Sequence, residues 1–408
     1  MLQLENIRQE FPALEEQVYG KPLVYLDNAA TSQRPRSVIR LWEELTVKRN
    51  ANLHRAVHRL ADLATQEYEA TRDAVRAYLN AEAREEIVFT SGATAAINLV
   101  AFSFGEAFVR EGDEIVVCEA EHHSDIVPWQ MLCERKGAVL KVLPVDDSGH
   151  LRTAALSALL TPRTKLVCVA QISNVLGLVN PVKDVVRICH SAGCPVLVDG
   201  AQGIVHEAVD VRDMDCDFYV FSGHKVYAAP GTGVLYGRRV LLEQMPPYMG
   251  GGEMIDTVRW SGTSYAPLPQ KFEAGTQNIS GTPTLRPALE TAQALRNPAV
   301  EAEQRWIKEF MLNKLHGVSG LRLYGEPTSS EEKIPLFSFS VEHAHHEDLA
   351  LILDKMGIAV RSGQMCAEPL MDRFGVTGML RASFAPYNTL AEAEYLTKCL
   401  DKAINMVR

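Results

Sequence analysis

Residues 217–225 read Asp-Phe-Tyr-Val-Phe-Ser-Gly-His-Lys, and residues 196–202 read Val-Leu-Val-Asp-Gly-Ala-Gln. Each stretch is a short apolar run followed by polar residues, which is typical of a buried strand and the loop after it. Asp199 therefore ends one predicted strand, and Lys225 lies just beyond the next. Because the carboxyl ends of parallel strands meet at one edge of a sheet, we expect these two charges to lie close together.

An acid and a lysine in this arrangement supply the two charges that pyridoxal 5′-phosphate (PLP) requires. The lysine amine condenses with the cofactor aldehyde, and the carboxylate keeps the pyridine nitrogen protonated so that the ring withdraws electrons. Ser222 and His224 lie beside Lys225 as candidate phosphate donors. Alone, an aspartate at a strand end is usually a turn residue and a lysine in a polar loop is usually solvated, so the prediction depends on the combination.

The surrounding sequence predicts an α/β fold. Residues 86–235 alternate short apolar runs with longer helical patterns, as βαβ units do. The predicted strands are 86–90, 114–118, 140–143, 166–169, 196–198 and 218–221. We expect a mainly parallel sheet with helices on both faces. Residues 246–287 are rich in Pro, Gly, Ser and Thr and should be irregular. Apolar runs near 334–341 and 357–361, with helices over 290–316, 346–356 and from 389, predict a smaller α+β domain.

Composition narrows the class of protein. The chain of 408 residues is long enough for two domains, and its formal net charge of −10 argues against nucleic acid or an anionic membrane as a main partner. No apolar stretch approaches the roughly 18 residues of a membrane helix, and the first ten residues lack a signal-peptide pattern. We therefore expect a soluble, cytoplasmic protein.

The cysteines and histidines predict neither a disulfide framework nor a metal site. The eight cysteines contain no Cys-x-x-Cys pair, and several lie in apolar runs, so we expect reduced thiols. His54 and His58 have helical spacing, and residues 342–347 are rich in histidine, but neither cluster has complementary ligands of clear spacing.

The chain resembles the class V aminotransferase-fold PLP enzymes. Within them it is similar to the cysteine desulfurase/selenocysteine lyase branch, of the SUF and cysteine-sulfinate-desulfinase type. The resemblance covers nearly the whole chain. Its motifs, in order, lie at 25–31 (Tyr-Leu-Asp-Asn-Ala-Ala-Thr), 54–55, 121–123, 127–129, 173–177, 199–202, 221–225, 250–252, 273–276 (Glu-Ala-Gly-Thr), 361–366 (Arg-Ser-Gly-Gln-Met-Cys) and 381–389.

The resemblance implies a PLP-dependent transferase fold of type I with three parts. These are an N-terminal arm (1–20) that packs on the small domain, a large PLP-binding domain (21–287), and a small C-terminal domain (288–408) with the catalytic-cysteine loop. It also implies a homodimer with shared active sites, because the family threonine that matches Thr276 reaches the phosphate from the other subunit.

Several residues are candidates for holding the cofactor. Ala93 and Thr94 open a helical run after a predicted strand, where free backbone N–H groups and a hydroxyl suit a phosphate. Amide donors on Asn174 and Gln202, in loops after strands, could reach the phenolic oxygen of PLP. The resemblance assigns His122 to stacking on the ring and to proton movement.

Cys366 is the residue that decides the reaction. It lies in a polar, Gly-flanked loop rather than in an apolar run, and the resemblance makes its thiolate the nucleophile that attacks the substrate sulfur. The residue matching Arg381 pairs with the substrate α-carboxylate, and Arg361 assists. The resemblance also places Asn28, Ala29, His54 and Arg55 among the substrate-binding residues.

We therefore predict a cysteine desulfurase that converts L-cysteine to L-alanine, leaves a persulfide on Cys366 and passes its sulfur to an acceptor protein for iron-sulfur cluster assembly or related sulfur transfer. Selenocysteine and cysteine sulfinate are alternative substrates. A class V aminotransferase and a non-catalytic sulfur-transfer scaffold are less favoured alternatives.

Three segments depart from the family pattern. Residues 91–95 read Ser-Gly-Ala-Thr-Ala where Arg-Gly-Thr-Thr-Glu is usual, so one charge of each sign is missing. Residues 227–231 read Tyr-Ala-Ala-Pro-Gly in place of Tyr-Gly-Pro-Thr-Gly, and Met365 replaces a histidine. Substrate steering, the dimer contact and proton handling at the cysteine loop are the properties these changes put in doubt.

Overall fold

The computed structural model describes residues 4–55 and 57–407. Its strands, in chain order, are β1 (Gln17–Val18), β2 (Lys21–Pro22), β3 (Val24–Tyr25), β4 (Ile87–Thr90), β5 (Glu114–Cys118), β6 (Val139–Leu143), β7 (Thr164–Ala170), β8 (Val196–Asp199), β9 (Phe218–Ser222), β10 (Gly233–Gly237), β11 (Ile255–Arg259), β12 (Gly262–Tyr265), β13 (Leu321–Tyr324), β14 (Leu336–Val341), β15 (Ile358–Ala359), β16 (Arg361–Gly363) and β17 (Met379–Ser383).

The α-helices are α1 (Leu4–Gln9), α2 (Arg36–Lys48), α3 (Arg59–Tyr78), α4 (Ala93–Phe108), α5 (Val127–Lys136), α6 (Thr153–Leu159), α7 (Val182–Ser191), α8 (Gly203–His206), α9 (Val211–Met214), α10 (Arg239–Gln244), α11 (Leu285–Leu295), α12 (Pro298–His316), α13 (His346–Lys355), α14 (Glu368–Phe374) and α15 (Leu390–Val407). Within the described residues, no helix is both long enough and apolar enough to cross a bilayer.

A seven-stranded sheet forms the centre of the large domain, in the order β4-β10-β9-β8-β7-β5-β6. The pairs β5–β6, β5–β7, β7–β8 and β8–β9 are parallel. β10 is antiparallel to both of its neighbours, β4 and β9. The mainly parallel sheet confirms the predicted fold class, whereas β10, rich in glycine, was not among the predicted strands.

Both faces of this sheet are buried because side chains alternate along each strand. In β8, Val196 and Val198 pack in one hydrophobic cluster while Leu197 packs in the other. Strands covered by helices on both faces lose polar–apolar alternation and read as continuous apolar runs. This is why the strands of the large domain were visible in the sequence.

The small domain packs α12, α13 and α15 on a four-stranded antiparallel sheet of order β13-β14-β17-β16. Val24 and Leu26 belong to its core, and β3 pairs in parallel with β15. Residues 24–26, which the sequence places in the large domain, therefore pack with the small one. Conversely, α11 contributes Leu285 and Leu289 to the core of the large domain.

The N-terminal arm contacts both domains. Arg8 forms a 2.7 Å ion pair with Glu392 of α15. Phe11 packs against Tyr227 of the large domain and Tyr387 of the small one. Residues 1–3 of the predicted arm and residue 408 of the predicted small domain lie outside the described residues.

Two predicted elements differ from the structure. The helix expected over 290–316 is two helices, because the Asn297 side chain accepts hydrogen bonds from the N–H groups of Ala299 and Val300 and Pro298 occupies the first turn of α12. Within the segment expected to be irregular, β11 and β12 form an antiparallel hairpin.

Candidate active site

The predicted site residues meet where five strands of the large sheet end. Thr94, His122, Asn174, Asp199 and Lys225 follow or end β4, β5, β7, β8 and β9 in turn. They line a cavity of about 160 Å³ whose wall also contains Ala29, Ala93, Ser222, His224, Arg361, Cys366 and Arg381. The edge of the sheet formed by strand carboxyl ends is where ligands bind in open α/β sheets.

Asp199 and Lys225 carry opposite charges inside this cavity. The Asp199 carboxylate accepts a 2.8 Å hydrogen bond from the Ala201 N–H. Burial raises the pKa of Asp199, and the positive charge of Lys225 opposes that shift. Burial lowers the pKa of Lys225, and Asp199 opposes it in turn. No hydrogen bond joins Lys225 Nζ to another described residue, so its amine is available as a nucleophile.

The start of α4 forms one end of the cavity. The Ala93 N–H donates to Ser222 Oγ at 2.8 Å, and Thr94 Oγ1 lies 2.7 Å from Ser124 Oγ. Burial, with the charge of Lys225 next, lowers the pKa of His224 to about 4, so its imidazole is neutral at pH 7. Hydroxyls and N–H groups at the positive end of a helix suit a phosphate. Ser124 is an addition that no sequence motif indicated.

Gly233 allows the start of α4 to approach the sheet. A Cβ at Gly233 would lie 2.4 Å from the Gly92 Cα, closer than any real side chain comes. The Gly92 turn therefore rests directly on β10. This contact holds the N-terminus of α4 against the end of β9, where Ser222 lies.

The His122 imidazole forms another wall of the cavity. Its Nδ1 accepts a 3.0 Å hydrogen bond from the Ser124 N–H, which leaves the ring proton on Nε2. Burial, followed by the charge of Lys225, lowers the pKa of His122 to about 3. The ring is therefore neutral at physiological pH, a state suited to stacking on an aromatic ligand.

Cys366 reaches the cavity from the small domain, on a loop of residues 364–367 between β16 and α14, hereafter the Cys366 loop. Cys366 is partly exposed, whereas the other seven cysteines are buried. Arg361 Nη2 lies 3.8 Å from the Cys366 sulfur. The guanidinium therefore places a positive charge and a hydrogen-bond donor beside this sulfur.

Arg381, on β17, lines the cavity and has an unpaired donor nitrogen. The residue is 1% exposed. Its Nη1 donates to the Asn174 carbonyl at 2.8 Å and its Nη2 to the Asp27 carboxylate at 3.0 Å, while Nε has no partner among the described residues. Arg361 and Arg381 are paired across β16 and β17. Two guanidinium groups in one small cavity suit a carboxylate ligand.

Five predicted site residues are not part of the cavity lining. Gln202 donates to the Ala29 carbonyl at 2.9 Å, and the Asn28 amide donates to Ser383 and Asn388. His54 and Arg55 pair with glutamates, Glu69 at 3.1 Å and Glu253 at 3.3 Å. Thr276 lines a separate cavity of about 230 Å³ together with Ser91 and Ala95.

Asn174 lines the cavity, but its amide group has a protein partner. Its Nδ2 donates to the Met365 carbonyl at 2.8 Å, so the side chain joins the end of β7 to the Cys366 loop. The sequence indicated a role at the cofactor and carried no signal for this contact.

A buried pair of acids lies behind His122 and was not predicted. Glu121 accepts a hydrogen bond from the Ala170 N–H at 2.9 Å, and Asp125 accepts one from Trp129 Nε1 at 2.9 Å. The second oxygen of each carboxyl group is buried and has no hydrogen-bond partner in the part of the chain that the structure describes. Burial, followed by repulsion from Asp125 and then Asp199, raises the pKa of Glu121. Burial, followed by repulsion from Asp199, raises the pKa of Asp125. The charged form of each acid is therefore disfavoured.

The lining of the cavity fits PLP. Lys225 has a free amine for its aldehyde, Asp199 a buried carboxylate for its ring nitrogen and His122 a neutral ring for its face. The start of α4, with Ser222, supplies hydroxyl and N–H groups for its phosphate. All of these groups are supplied by the side chains and backbone of the protein.

The chain matches the family described as "Aminotransferase class-V" over residues 24–396. It is 45% identical to the "Probable cysteine desulfurase" of Vibrio cholerae serotype O1, with both chains covered in full. It is also 46% identical to the "Cysteine desulfurase" of Pectobacterium carotovorum, over 98% of this chain and 97% of that one.

Solved structures show the same architecture. The cysteine desulfurase CsdA of Escherichia coli, in its S-sulfonic acid form, superposes with a TM-score of 0.91 at 38% identity, covering all of both chains. The apo cysteine desulfurase of Thermococcus onnurineus NA1 gives a TM-score of 0.90 at 34% identity, over 97% of this chain and 98% of that one.

Proposed function

We propose that this chain, which belongs to the class V aminotransferase family, is a PLP-dependent cysteine desulfurase that converts L-cysteine to L-alanine. The observation that carries the proposal is the position of Cys366. Its thiol, beside Arg361, opens onto the same small cavity as Lys225 and Asp199. A transaminase needs no thiol there, whereas a desulfurase needs one as nucleophile.

When bound, PLP supplies an aldehyde that captures the substrate amine and a ring that withdraws electrons from the substrate α-carbon. Lys225 would hold the cofactor through Nζ and, once the substrate amine has replaced it, accept the α-proton. Asp199 would keep the ring nitrogen protonated, and His122 would cover one face of the ring. Ala93, Thr94, Ser222 and His224 would hold the phosphate.

Arg381, through its unpaired Nε, and Arg361 would hold the substrate carboxylate. The Cys366 thiolate would then attack the substrate sulfur. A sulfur–sulfur bond forms as the carbon–sulfur bond breaks, and the electron pair of that bond returns to the β-carbon, which takes up a proton. Lys225 would then return the α-proton to the α-carbon, which completes L-alanine. Sulfur remains on Cys366 as a persulfide.

The test is to incubate the PLP-loaded protein with L-cysteine and to quantify alanine and bound sulfane sulfur, in the wild type and in Cys366→Ala. We expect equal amounts of the two products in the wild type and neither in the variant, with the cofactor absorption spectrum retained. Full desulfuration by Cys366→Ala would contradict the role of this thiol. Parallel assays with selenocysteine and cysteine sulfinate rank the alternative substrates, and a pyridoxamine form reversed by a keto acid would instead indicate a transaminase.

The proposal includes a homodimer with shared active sites. Thr276 lies outside the cavity of its own chain, in a separate cavity bordered by Ser91 and Ala95. Trp260, in the loop between β11 and β12, is fully exposed. A second copy of the chain that covers this region would account for the position of Thr276 and for the exposure of Trp260. The proposed compartment is the cytoplasm, where a catalytic thiol stays reduced, and the proposed sulfur recipient is an acceptor protein for the Cys366 persulfide.

A further inference from the structure

We propose that His123 is a positioning residue that holds the Cys366 loop over the cavity. His123 follows His122 and begins a short 3₁₀ turn, His123–Asp125, in the large domain. The Cys366 loop belongs to the small domain. The inference rests on the proposed role of Cys366, and its test is chosen to be independent of turnover.

Two hydrogen bonds join His123 to the Cys366 loop and to the first residue of α14. The His123 N–H donates to the Cys366 carbonyl at 2.7 Å. The Glu368 N–H donates to His123 Nε2 at 3.0 Å. These contacts lie on either side of Ala367, so one residue of the large domain fixes the backbone immediately before and after it.

The loop backbone requires such a restraint. Met365 and Cys366 have φ values of +55° and +57°, a left-handed conformation that side chains other than glycine rarely adopt. Two such residues in sequence persist only where surrounding contacts hold them. Besides His123, the Asn174 amide supplies one, at the Met365 carbonyl.

The His123 imidazole caps the start of α14, and this contact fixes which ring nitrogen is unprotonated. Glu368 is the first residue of α14, and its N–H has no partner within the helix. Because a backbone N–H can only donate, His123 Nε2 must be the unprotonated ring nitrogen. A glutamine at position 123 can place an oxygen near the Nε2 position, whereas leucine fills similar space without an acceptor.

The test measures how readily iodoacetamide alkylates Cys366 in the PLP-loaded protein, followed by peptide mass spectrometry. We expect His123→Leu to raise the alkylation rate about fivefold, as the loss of one hydrogen bond would, and to lower kcat for alanine similarly while KM stays nearly constant. We expect His123→Gln to restore both values to within about twofold of the wild type.

His345→Leu is the matched control. His345 Nδ1 accepts the Glu347 N–H at 3.3 Å at the start of α13, so this variant removes the same kind of cap elsewhere in the small domain. Its Cys366 alkylation rate should equal that of the wild type. Should His123→Leu fail to fold, His123→Asn, whose side chain is too short to reach the Nε2 position, replaces it.

Alkylation of Cys366 at the wild-type rate in His123→Leu would overturn the inference. So would a His123→Gln variant that behaves like His123→Leu, because shape rather than the acceptor would then be responsible. If the wild type makes no alanine, the proposed function fails, yet the ratio of alkylation rates still decides whether His123 holds the loop.

Discussion

At the scale of single residues, the site combines charged groups that are costly to bury with neighbours that make burial tolerable. Arg381 is almost fully buried, and only two of its three kinds of donor nitrogen have partners. A buried guanidinium with an unpaired donor gains from an anionic ligand. The substrate carboxylate would complete its hydrogen bonding.

Arg381→Lys should therefore weaken substrate use. A lysine ammonium cannot contact Asn174, Asp27 and a carboxylate with the geometry of a guanidinium, so we expect kcat/KM for L-cysteine to fall about a hundredfold, mainly through KM. Steady-state alanine formation measures this. Arg305→Lys, on the exposed surface of α12, is the control, and an unchanged KM in Arg381→Lys would remove Arg381 from carboxylate binding.

The acid pair Glu121 and Asp125 gives a prediction about pH. Both pKa values are raised in the folded chain, so folding takes up protons and the contribution of the pair to stability falls as pH rises above the unfolded values of about 4. Asp125→Asn removes the repulsion, retains an oxygen for Trp129 and adds a donor for Glu121. We expect it to stabilise the fold by about 1 kcal/mol at neutral pH.

Thermal unfolding midpoints at pH 5, 6, 7 and 8 check this prediction. The increase in unfolding midpoint that Asp125→Asn gives over the wild type should grow with pH. Asp401→Asn, at an exposed position, should show no such trend. A variant that is less stable than the wild type at pH 8 would show that the Asp125 carboxylate is stabilising.

At the scale of elements, the position of α4 depends on β10. The start of α4 is close to Ser222 because Gly233 lets the turn at Gly92 lie against β10. The apolar pattern of β4 and α4 predicted both elements. It could not predict how closely a third segment passes them, because that distance is set by a contact between residues far apart in the chain.

Gly233→Ala should displace the helix start. The added methyl group would lie 2.4 Å from the Gly92 Cα, a backbone atom that cannot move aside cheaply. We expect a loss of stability of about 2 kcal/mol and weaker binding of PLP. Thermal unfolding and fluorescence titration with PLP measure the two effects. Gly317→Ala, where the nearest atom is 3.4 Å away, is the control, and unchanged PLP affinity in Gly233→Ala would contradict the argument.

In the whole molecule, two domains meet at one site, and the N-terminal arm contacts both domains. The large domain supplies the residues expected to hold PLP, and the small domain supplies Cys366, Arg361 and Arg381. His123 and Asn174 join the two across the Cys366 loop. A relative movement of the domains would therefore separate the thiol from the amine of Lys225.

The proposed dimer is tested by mass and by complementation. We expect a particle of twice the 45.1 kDa of one chain in sedimentation. Thr276→Val should weaken PLP binding about tenfold if its hydroxyl reaches a phosphate. In a mixed dimer with Lys225→Ala, the Thr276→Val protomer should regain full affinity, because its site would receive Thr276 from its partner. If the Thr276→Val protomer still binds PLP weakly in the mixed dimer, Thr276 acts in the site of its own chain.

The order of apolar runs in the chain was enough to predict the large sheet, its helices and the common position of Asp199 and Lys225 at one edge. Buried parallel strands read as apolar runs, and their carboxyl ends necessarily share one edge, so spacing along the chain was enough. The family motifs likewise located Cys366 and Arg381. Links between distant segments became visible only in the folded chain. The start of α4 rests on β10, the acid pair lies behind His122, Asn174 and His123 contact the Cys366 loop, and Thr276 lies outside the active-site cavity of its own chain. Such contacts depend on packing between residues far apart in the chain, which leave no periodic pattern in the sequence.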